Sequence, residues 1–189
     1  MALTPSTMLA LGTPLPAFRL ASVLAPADAA PVDSANLQAR PVLVLFLSAH
    51  CPYVKHIEAE LGRLAADYGE RVQLIGIASN SVLTHPQDGP DGLRAQAEAC
   101  GWSFPYLFDA DQSVARAFQA ACTPDPFLFD AAHRLVYRGQ LDGSRPGNGL
   151  PCDGGDLRAA LEAVLSGQAV NPDQRPAIGC NIKWHPTSP

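Results

Sequence analysis

A continuous apolar run at residues 41–47 is the feature that most limits which folds this chain can adopt. The run reads PVLVLFL, and its length and β-branched valines favour a strand that is buried on both faces of a parallel sheet. The pattern then changes to that of a helix, whose apolar stripe consists of Ile57, Leu61, Leu64, Ala65 and Tyr68. Because residues 72–78 return to an apolar strand pattern, this part of the chain predicts a β-α-β unit.

The rest of the chain predicts shorter elements. In order, these are a polar loop at 79–90, a helix capped by Asp91, a strand at 106–108, a short helix around Val114, a hairpin of strands at 127–129 and 135–137, and a last helix at 157–165. A β-α-β unit followed by a hairpin and a helix indicates a mixed sheet with helices on both faces. We expect one domain over residues 1–189, with residues 168–189 forming a C-terminal tail that packs on it.

Composition and charge exclude several classes of partner. The chain has 189 residues, 47% of them hydrophobic, and a net charge of −5, which argues against nucleic acid or an anionic membrane as a partner. No apolar run approaches the roughly 18 residues that span a bilayer, and the first residues lack the basic and apolar regions of a secretory signal. The five scattered cysteines suit a cytoplasmic protein with reduced or catalytic thiols better than a disulfide framework.

Cys51 falls where the first strand ends and the first helix begins. Pro52 suits the first helical position, because the N–H that proline lacks would be unpaired there. A sulfur at this place faces unpaired amides and the positive end of the helix dipole, which favour the reactive thiolate. His50 and Lys55 would add positive charge and tune the same thiol. The sequence therefore predicts that Cys51 is a redox nucleophile.

Two other interpretations of Cys51 remain open at this point. A buried cysteine with a structural role is common in protein interiors. A metal site is the second alternative, since His50, His56, Cys180 and His185 are further candidate ligands, although the sequence contains no C-x-x-C pair.

Several motifs resemble one family of redox proteins. Residues 51–54, CPYV, are similar to the C-P-Y-C box of the thioredoxin and glutaredoxin fold, and residues 123–125, TPD, resemble the segment that carries its cis-proline. Together with the segments at 11–20, 104–109, 136–142 and 179–184, they resemble the peroxiredoxin-like group of the AhpC/TSA superfamily. The resemblance covers nearly the whole chain. It implies an α/β thioredoxin-like fold, with a central mixed β-sheet flanked by helices, an N-terminal extension and the C-terminal tail.

The resemblance also implies an activity and its partners. Cys51 would be the nucleophile of thiol–disulfide exchange or of weak peroxide reduction, without an organic cofactor or a resident metal. The substrate, a peroxide or a protein disulfide, would be seated by Pro52, Tyr53, Thr123 and Pro124. Thioredoxin or a low-molecular-weight thiol would be the reductant.

The chain departs from the family pattern in three places. Val54 stands where the second cysteine of the redox box is expected, so no disulfide can form within the box. Of the peroxiredoxin pattern P-x-x-x-[TS]-x-x-C only Ser48 and Cys51 match, because Val44 replaces the proline. No arginine lies between Arg116 and Arg134, where peroxiredoxins have the arginine that activates the cysteine. These departures argue against efficient peroxidase chemistry.

A second thiol is still needed to complete a redox cycle, and the chain offers two candidates. Cys122 lies two residues before Pro124, on the loop that the fold brings towards Cys51. Cys180 lies in the tail, which we expect to return over the site. Either thiol would resolve a sulfenic acid or a mixed disulfide at Cys51. The alternative is a non-catalytic thioredoxin-fold module that binds a client peptide or a soft metal ion.

Overall fold

A central sheet and a small second sheet organise the molecule, for which a computed structural model describes residues 3–186. The termini of the predicted domain, residues 1–2 and 187–189, lie outside the described residues, and the last three also belong to the predicted tail. In chain order the strands and α-helices are β1 (Leu3–Pro5), β2 (Arg19–Leu20), β3 (Val32–Asp33), β4 (Val42–Leu47), α1 (Pro52–Tyr68), β5 (Gln73–Ala78), α2 (Pro90–Cys100), β6 (Tyr106–Phe108), α3 (Ser113–Ala117), β7 (Cys122–Thr123), β8 (Asp125–Phe129), β9 (Leu135–Tyr137), α4 (Gly155–Leu165) and β10 (Ile178–Asn181).

The central sheet has the strand order β6-β5-β4-β8-β9. Strands β4, β5 and β6 run parallel, while β8 is antiparallel to β4 and β9 is antiparallel to β8. The predicted hairpin and the predicted mixed sheet are therefore confirmed. The parallel strands end at one edge, so the residues that follow Leu47, Ala78 and Phe108 meet there.

Both faces of β4 are buried, as its continuous apolar run predicts. Its leucines pack with apolar residues of α1, α2 and α4, whereas Val42, Val44 and Phe46 pack on the opposite face with residues of α3 and β8. Helices therefore cover both faces of the sheet, and the fold is thioredoxin-like. No helix among residues 3–186 is long and apolar enough to cross a membrane.

Helices α1 and α2 depart from the prediction in detail. The α1 stripe is confirmed at Ile57, Leu61, Leu64 and Tyr68, which are buried, but Glu60 is buried with them. Its carboxylate lies 2.6 Å from the Arg63 guanidinium and 2.7 Å from that of Arg158, and these ion pairs compensate its desolvation. In α2, Gly89 rather than Asp91 is the N-cap, because the helix begins at Pro90 and places Asp91 in its first turn.

The tail forms the central strand of the small second sheet. Its strand order is β1-β10-β7, so the C-terminal strand β10 pairs with the strand that precedes Pro124, and the N-terminal strand β1 pairs with the other edge of β10. In this sheet Cys180 is the register partner of Thr123 on one side and of Leu3 on the other. The sequence predicts a tail that packs on the domain and identifies no strand in it, and the structure adds the strand β10.

Candidate thiol site

Cys51 lies at the carboxyl edge of the parallel strands. Residues 48–50 connect it to β4, and it is the N-cap residue of α1, with Pro52 at the first helical position. The expected placement at a strand end and a helix start is therefore confirmed. The Thr123–Pro124 peptide bond is cis, as its resemblance implies, and the segment that contains it faces Cys51.

The Cys51 sulfur contacts two groups of the second sheet. Its Sγ lies 3.1 Å from the Thr123 carbonyl oxygen and 2.8 Å from the Cys180 Sγ. The side chain makes no capping hydrogen bond to the amides of α1, so the expectation that these amides hold the Cys51 sulfur is wrong. The reason is that the sulfur turns towards the strand pair β7 and β10.

Cys180 instead receives a hydrogen bond from the first turn of α1. The backbone N–H of Tyr53 bonds the Cys180 sulfur and, with the charge of Lys183, lowers its pKa. Burial, followed by the hydrogen bond to Cys51 and the charge of Cys51, outweighs these effects and raises the pKa of Cys180 to about 12. Cys180 therefore keeps its proton at neutral pH while Cys51 lies beside it.

Both sulfurs are buried, and Cys180 of the tail lies against Cys51. The exposed fraction is 0% for Cys51 and 3% for Cys180, so the redox nucleophile predicted at Cys51 is not reachable from solvent in this arrangement of the chain. A crevice of about 20 Å³ lies beside Pro124, between Tyr53, His56 and Ile178. It has room for about one water molecule, which is too little for a disulfide substrate.

Cys122, the other candidate for a second thiol, is also completely buried. Its Sγ lies 3.6 Å from the Pro124 carbonyl oxygen. Burial raises the pKa of the Cys122 thiol far above its ordinary value, and the charge of Asp125 raises it further. Of the two candidates, Cys180 is the one whose sulfur contacts that of Cys51.

The residues expected to tune or to bind lie around this pair. Pro52 and Lys55 are exposed on the first turn of α1, and Tyr53 is half-buried at the crevice beside Pro124. The His50 ring turns to the 79–90 loop, where Nδ1 lies 2.7 Å from Asp88 Oδ2 and the ring stacks on that of His85 at 4.6 Å. Burial lowers the pKa of His85, and the charges of His50 and Lys183 act in the same direction.

Four polar residues near the thiol pair are not among the site residues that the sequence predicts. Asp88 and His85 belong to the predicted polar loop at 79–90, yet Asp88 is completely buried. Asn80 is buried between Asp88 and the tail, and Asp125 is buried next to Pro124. The location of the 79–90 loop in the sequence could have indicated that Asn80, His85 and Asp88 lie near Cys51. The loop follows the second parallel strand, and the carboxyl ends of parallel strands meet at one edge of the sheet.

The histidines named in the metal alternative are engaged elsewhere. His56 Nε2 lies 2.9 Å from Ser144 Oγ, and His185 Nδ1 lies 2.8 Å from Ser81 Oγ. Within residues 3–186, no group of three or more His, Cys, Asp or Glu is arranged to hold a metal ion.

Comparisons with known proteins agree with this architecture. The model of the AhpC/TSA family matches residues 11–138. An uncharacterised conserved protein from Geobacillus kaustophilus is 44% identical, with a TM-score of 0.94 over 100% of this chain and 99% of its own. A hypothetical protein from Sinorhizobium meliloti 1021 is 43% identical, with a TM-score of 0.92 over 97% of this chain and 100% of its own.

A more distant structure shares the fold alone. It is a secreted disulfide oxidoreductase from Mycobacterium tuberculosis, 18% identical, with a TM-score of 0.57 over 79% of this chain and 95% of its own. A comparison with curated proteins gave no match.

Proposed function

Because the chain belongs to the AhpC/TSA family, we propose that it is a thiol–disulfide oxidoreductase whose redox centre is the pair Cys51 and Cys180. The observation that carries this proposal is the 2.8 Å separation of the two sulfurs beside the cis Thr123–Pro124 bond. A disulfide bond is about 2.05 Å long, so a shift of less than about 1 Å would bring the sulfurs to bonding distance. Membership of a redoxin family supports thiol chemistry at this place.

In the first step the Cys51 thiolate attacks one sulfur of a substrate disulfide. A bond forms between Cys51 Sγ and that sulfur, the substrate S–S bond breaks, and the other substrate sulfur leaves as a thiolate that takes up a proton. Cys51 then carries no charge, so one of the causes that keep Cys180 protonated is removed. Tyr53 N–H and Lys183 continue to favour the Cys180 thiolate.

In the second step Cys180 Sγ attacks Cys51 Sγ. The Cys51–Cys180 bond forms, the bond from Cys51 to the substrate breaks, and the remaining substrate thiolate leaves and takes up the proton that Cys180 releases. The substrate thus gains two electrons that the two cysteines lose. A dithiol such as thioredoxin, or two equivalents of a low-molecular-weight thiol, returns the pair to its reduced form. With a peroxide as the oxidant, the Cys51 thiolate attacks one peroxide oxygen, the O–O bond breaks, and water or an alcohol leaves. Attack by Cys180 on the resulting sulfenic acid forms the disulfide and releases water.

Access to the pair requires the tail to move. Because the sulfurs are covered and the adjacent crevice has room for about one water molecule, a substrate reaches Cys51 when β10 separates from β7.

A protein disulfide is the proposed substrate and a peroxide the weaker one, since the chain lacks the arginine of peroxiredoxins. We propose that this cycle operates in the cytoplasm, and the scattered cysteines support that location.

The test is turnover by the purified full-length protein, with a protein disulfide as substrate and excess dithiol as reductant. The wild type is expected to accelerate reduction over the dithiol alone. Cys51→Ser removes the acceleration completely, and Cys180→Ser lowers it and leaves Cys51 trapped in mixed disulfides. Cys100→Ser is the matched control, because Cys100 lies at the far end of α2.

Two results would reject the proposed activity. One is that the wild type does not exceed the rate of the dithiol alone. The other is that Cys51→Ser retains the wild-type rate, which would assign turnover to another thiol.

A second candidate function is a non-catalytic module that holds a client peptide. The complete burial of Cys51 favours it, since a nucleophile is more often partly exposed. A wild-type protein that retains a client peptide through purification, and has no turnover in the assay above, would support this function in place of the redox one.

A further inference from the structure

We propose that Asp88 is the positioning residue that fixes Cys51 and Cys180 against each other. The inference rests on the proposed function, because it concerns the geometry of that thiol pair. The hydrogen-bond partners of the Asp88 carboxylate are Ser48, Ala49, His50 and Asn80, and not the two sulfurs. Asp88 acts through the 48–50 loop, which precedes Cys51, and through the Asn80 side chain, which is hydrogen-bonded to the tail.

Asp88 first holds the start of α1. Its Oδ1 accepts hydrogen bonds from the backbone N–H of Ala49 at 2.7 Å and of His50 at 3.3 Å. Its Oδ2 lies 2.7 Å from His50 Nδ1, and Ser48 Oγ donates to the carboxylate at 3.1 Å. All three residues of the connection between β4 and Cys51 are therefore bonded to one carboxylate.

Asp88 also reaches the tail, through Asn80. The Asn80 Nδ2 donates to Asp88 Oδ2 at 2.7 Å, which fixes the orientation of the amide. The Asn80 Oδ1 then accepts the backbone N–H of Lys183 at 2.7 Å. Lys183 lies three residues beyond Cys180, so the same carboxylate that orients the helix start also orients the strand that carries the second sulfur.

The chemistry of the group suits positioning rather than proton transfer. Burial acts to raise the pKa of Asp88, but hydrogen bonds from His50, Asn80 and Ala49 outweigh it and hold the pKa below its ordinary value. Both carboxylate oxygens are occupied by donors. An anion that is fully bonded in the interior is a rigid anchor, and the loss of one partner is costly there.

Two quantities test the proposal. The first is the equilibrium constant of the Cys51–Cys180 disulfide in glutathione redox buffers, measured by trapping free thiols. The second is the rate at which iodoacetamide alkylates Cys51 in the reduced protein, measured on the Cys51 peptide by mass spectrometry. A merely structural role would change the thermal midpoint and leave both quantities unchanged.

The variants are Asp88→Asn and Asn80→Ala, with Asp91→Asn as the matched control because Asp91 is fully exposed. Loss of the anchor lowers the effective concentration of one thiol at the other, so we expect the disulfide equilibrium constant to fall about tenfold in both variants. Cys51 alkylation rises by about the same factor, since β10 leaves β7 more often. Asp91→Asn keeps the wild-type values.

The outcomes separate this proposal from the one on which it rests. If the wild type forms the disulfide and both variants keep its equilibrium constant and alkylation rate, Asp88 does not position the pair. If the wild type forms no Cys51–Cys180 disulfide, the redox proposal fails, and an unchanged alkylation rate rejects the role of Asp88 as well. If Asp88→Asn does not fold, Asn80→Ala decides, because it leaves the hydrogen bonds between Asp88 and the 48–50 loop in place.

Discussion

Asp125 is the residue whose environment departs furthest from that of an ordinary carboxyl group. It follows Pro124, is completely buried, and its Oδ1 has no hydrogen-bond partner among the described residues. Burial raises its pKa from 3.8 to about 7. The folded protein therefore keeps a proton on Asp125 over a pH range in which the unfolded chain has released it.

The unfolding free energy of the protein should therefore depend on pH through Asp125. As the pH rises from 3.8 to about 7, the unfolded state binds fewer protons at this site than the folded state, so the unfolding free energy falls. As the pH rises through this range, we expect the unfolding free energy of Asp125→Asn to increase relative to that of the wild type by ~1.4 kcal/mol for each pH unit. Above about pH 7 the difference between the two proteins should stay constant. Urea unfolding between about pH 5 and about pH 8 measures the difference.

A matched change at an exposed carboxyl group is the control for Asp125. Asp28→Asn removes the same charge from the surface. A difference between Asp125→Asn and the wild type that does not vary with pH would contradict the argument.

Cys122 provides a second prediction at the scale of the residue. Its thiol is buried, burial and Asp125 raise its pKa, and its sulfur lies near the Pro124 carbonyl oxygen. We expect Cys122→Ala to lower stability by about 1–2 kcal/mol through lost packing, while the rate of disulfide formation between Cys51 and Cys180 stays within about twofold of the wild type. A variant in which oxidation of Cys51 stops at the sulfenic acid would show that Cys122, and not Cys180, is the resolving thiol.

Among the elements, β10 is the one whose separation from β7 we propose as the opening of the thiol pair. It approaches β7 so closely that a Cβ at Gly179 would overlap the Thr123 carbonyl group. We therefore expect Gly179→Ala to push the tail away from β7, to raise Cys51 alkylation by about tenfold or more, and to weaken the Cys51–Cys180 disulfide. The measurement is again the alkylation rate of the reduced protein.

The control for Gly179 is Gly62→Ala in α1, where the nearest atom to an added Cβ is 3.8 Å away. Alanine is also the better helix former, so this variant should be as stable as the wild type or more stable. Equal alkylation rates in the two variants would show that the contact between β10 and β7 does not protect Cys51.

The elements differ in how far the sequence predicts them. The periodicity of β4 and α1 is local, so their type and burial follow from residues close together in the chain. Strand β10 has four residues without a clear alternation, and its partners are Thr123 and Leu3, far away in sequence. A strand of this kind is specified by its tertiary partners, which is why the prediction gave a tail without a strand.

At the scale of the whole molecule, the same difference explains what was predicted of the site. Placement of Cys51 at a helix start follows from the local pattern, and the cis-proline segment opposite it follows from the resemblance. The cover over Cys51 and the hydrogen bonds of Asp88 depend on how the tail and the 79–90 loop meet at the sheet edge. The residue pattern of a single segment does not predict contacts between two segments that are far apart in the sequence.

The most direct test of the account is the identity of the bond that forms when the reduced protein is oxidised by one equivalent of a disulfide such as oxidised glutathione. Non-reducing digestion and mass spectrometry of the native full-length protein would identify it. If Cys51 and Cys180 form the redox pair, one major cross-link joins the peptides that contain them, and dithiothreitol removes it. A major cross-link that joins Cys51 to Cys122, or oxidation that leaves Cys51 and Cys180 as free thiols, would contradict it.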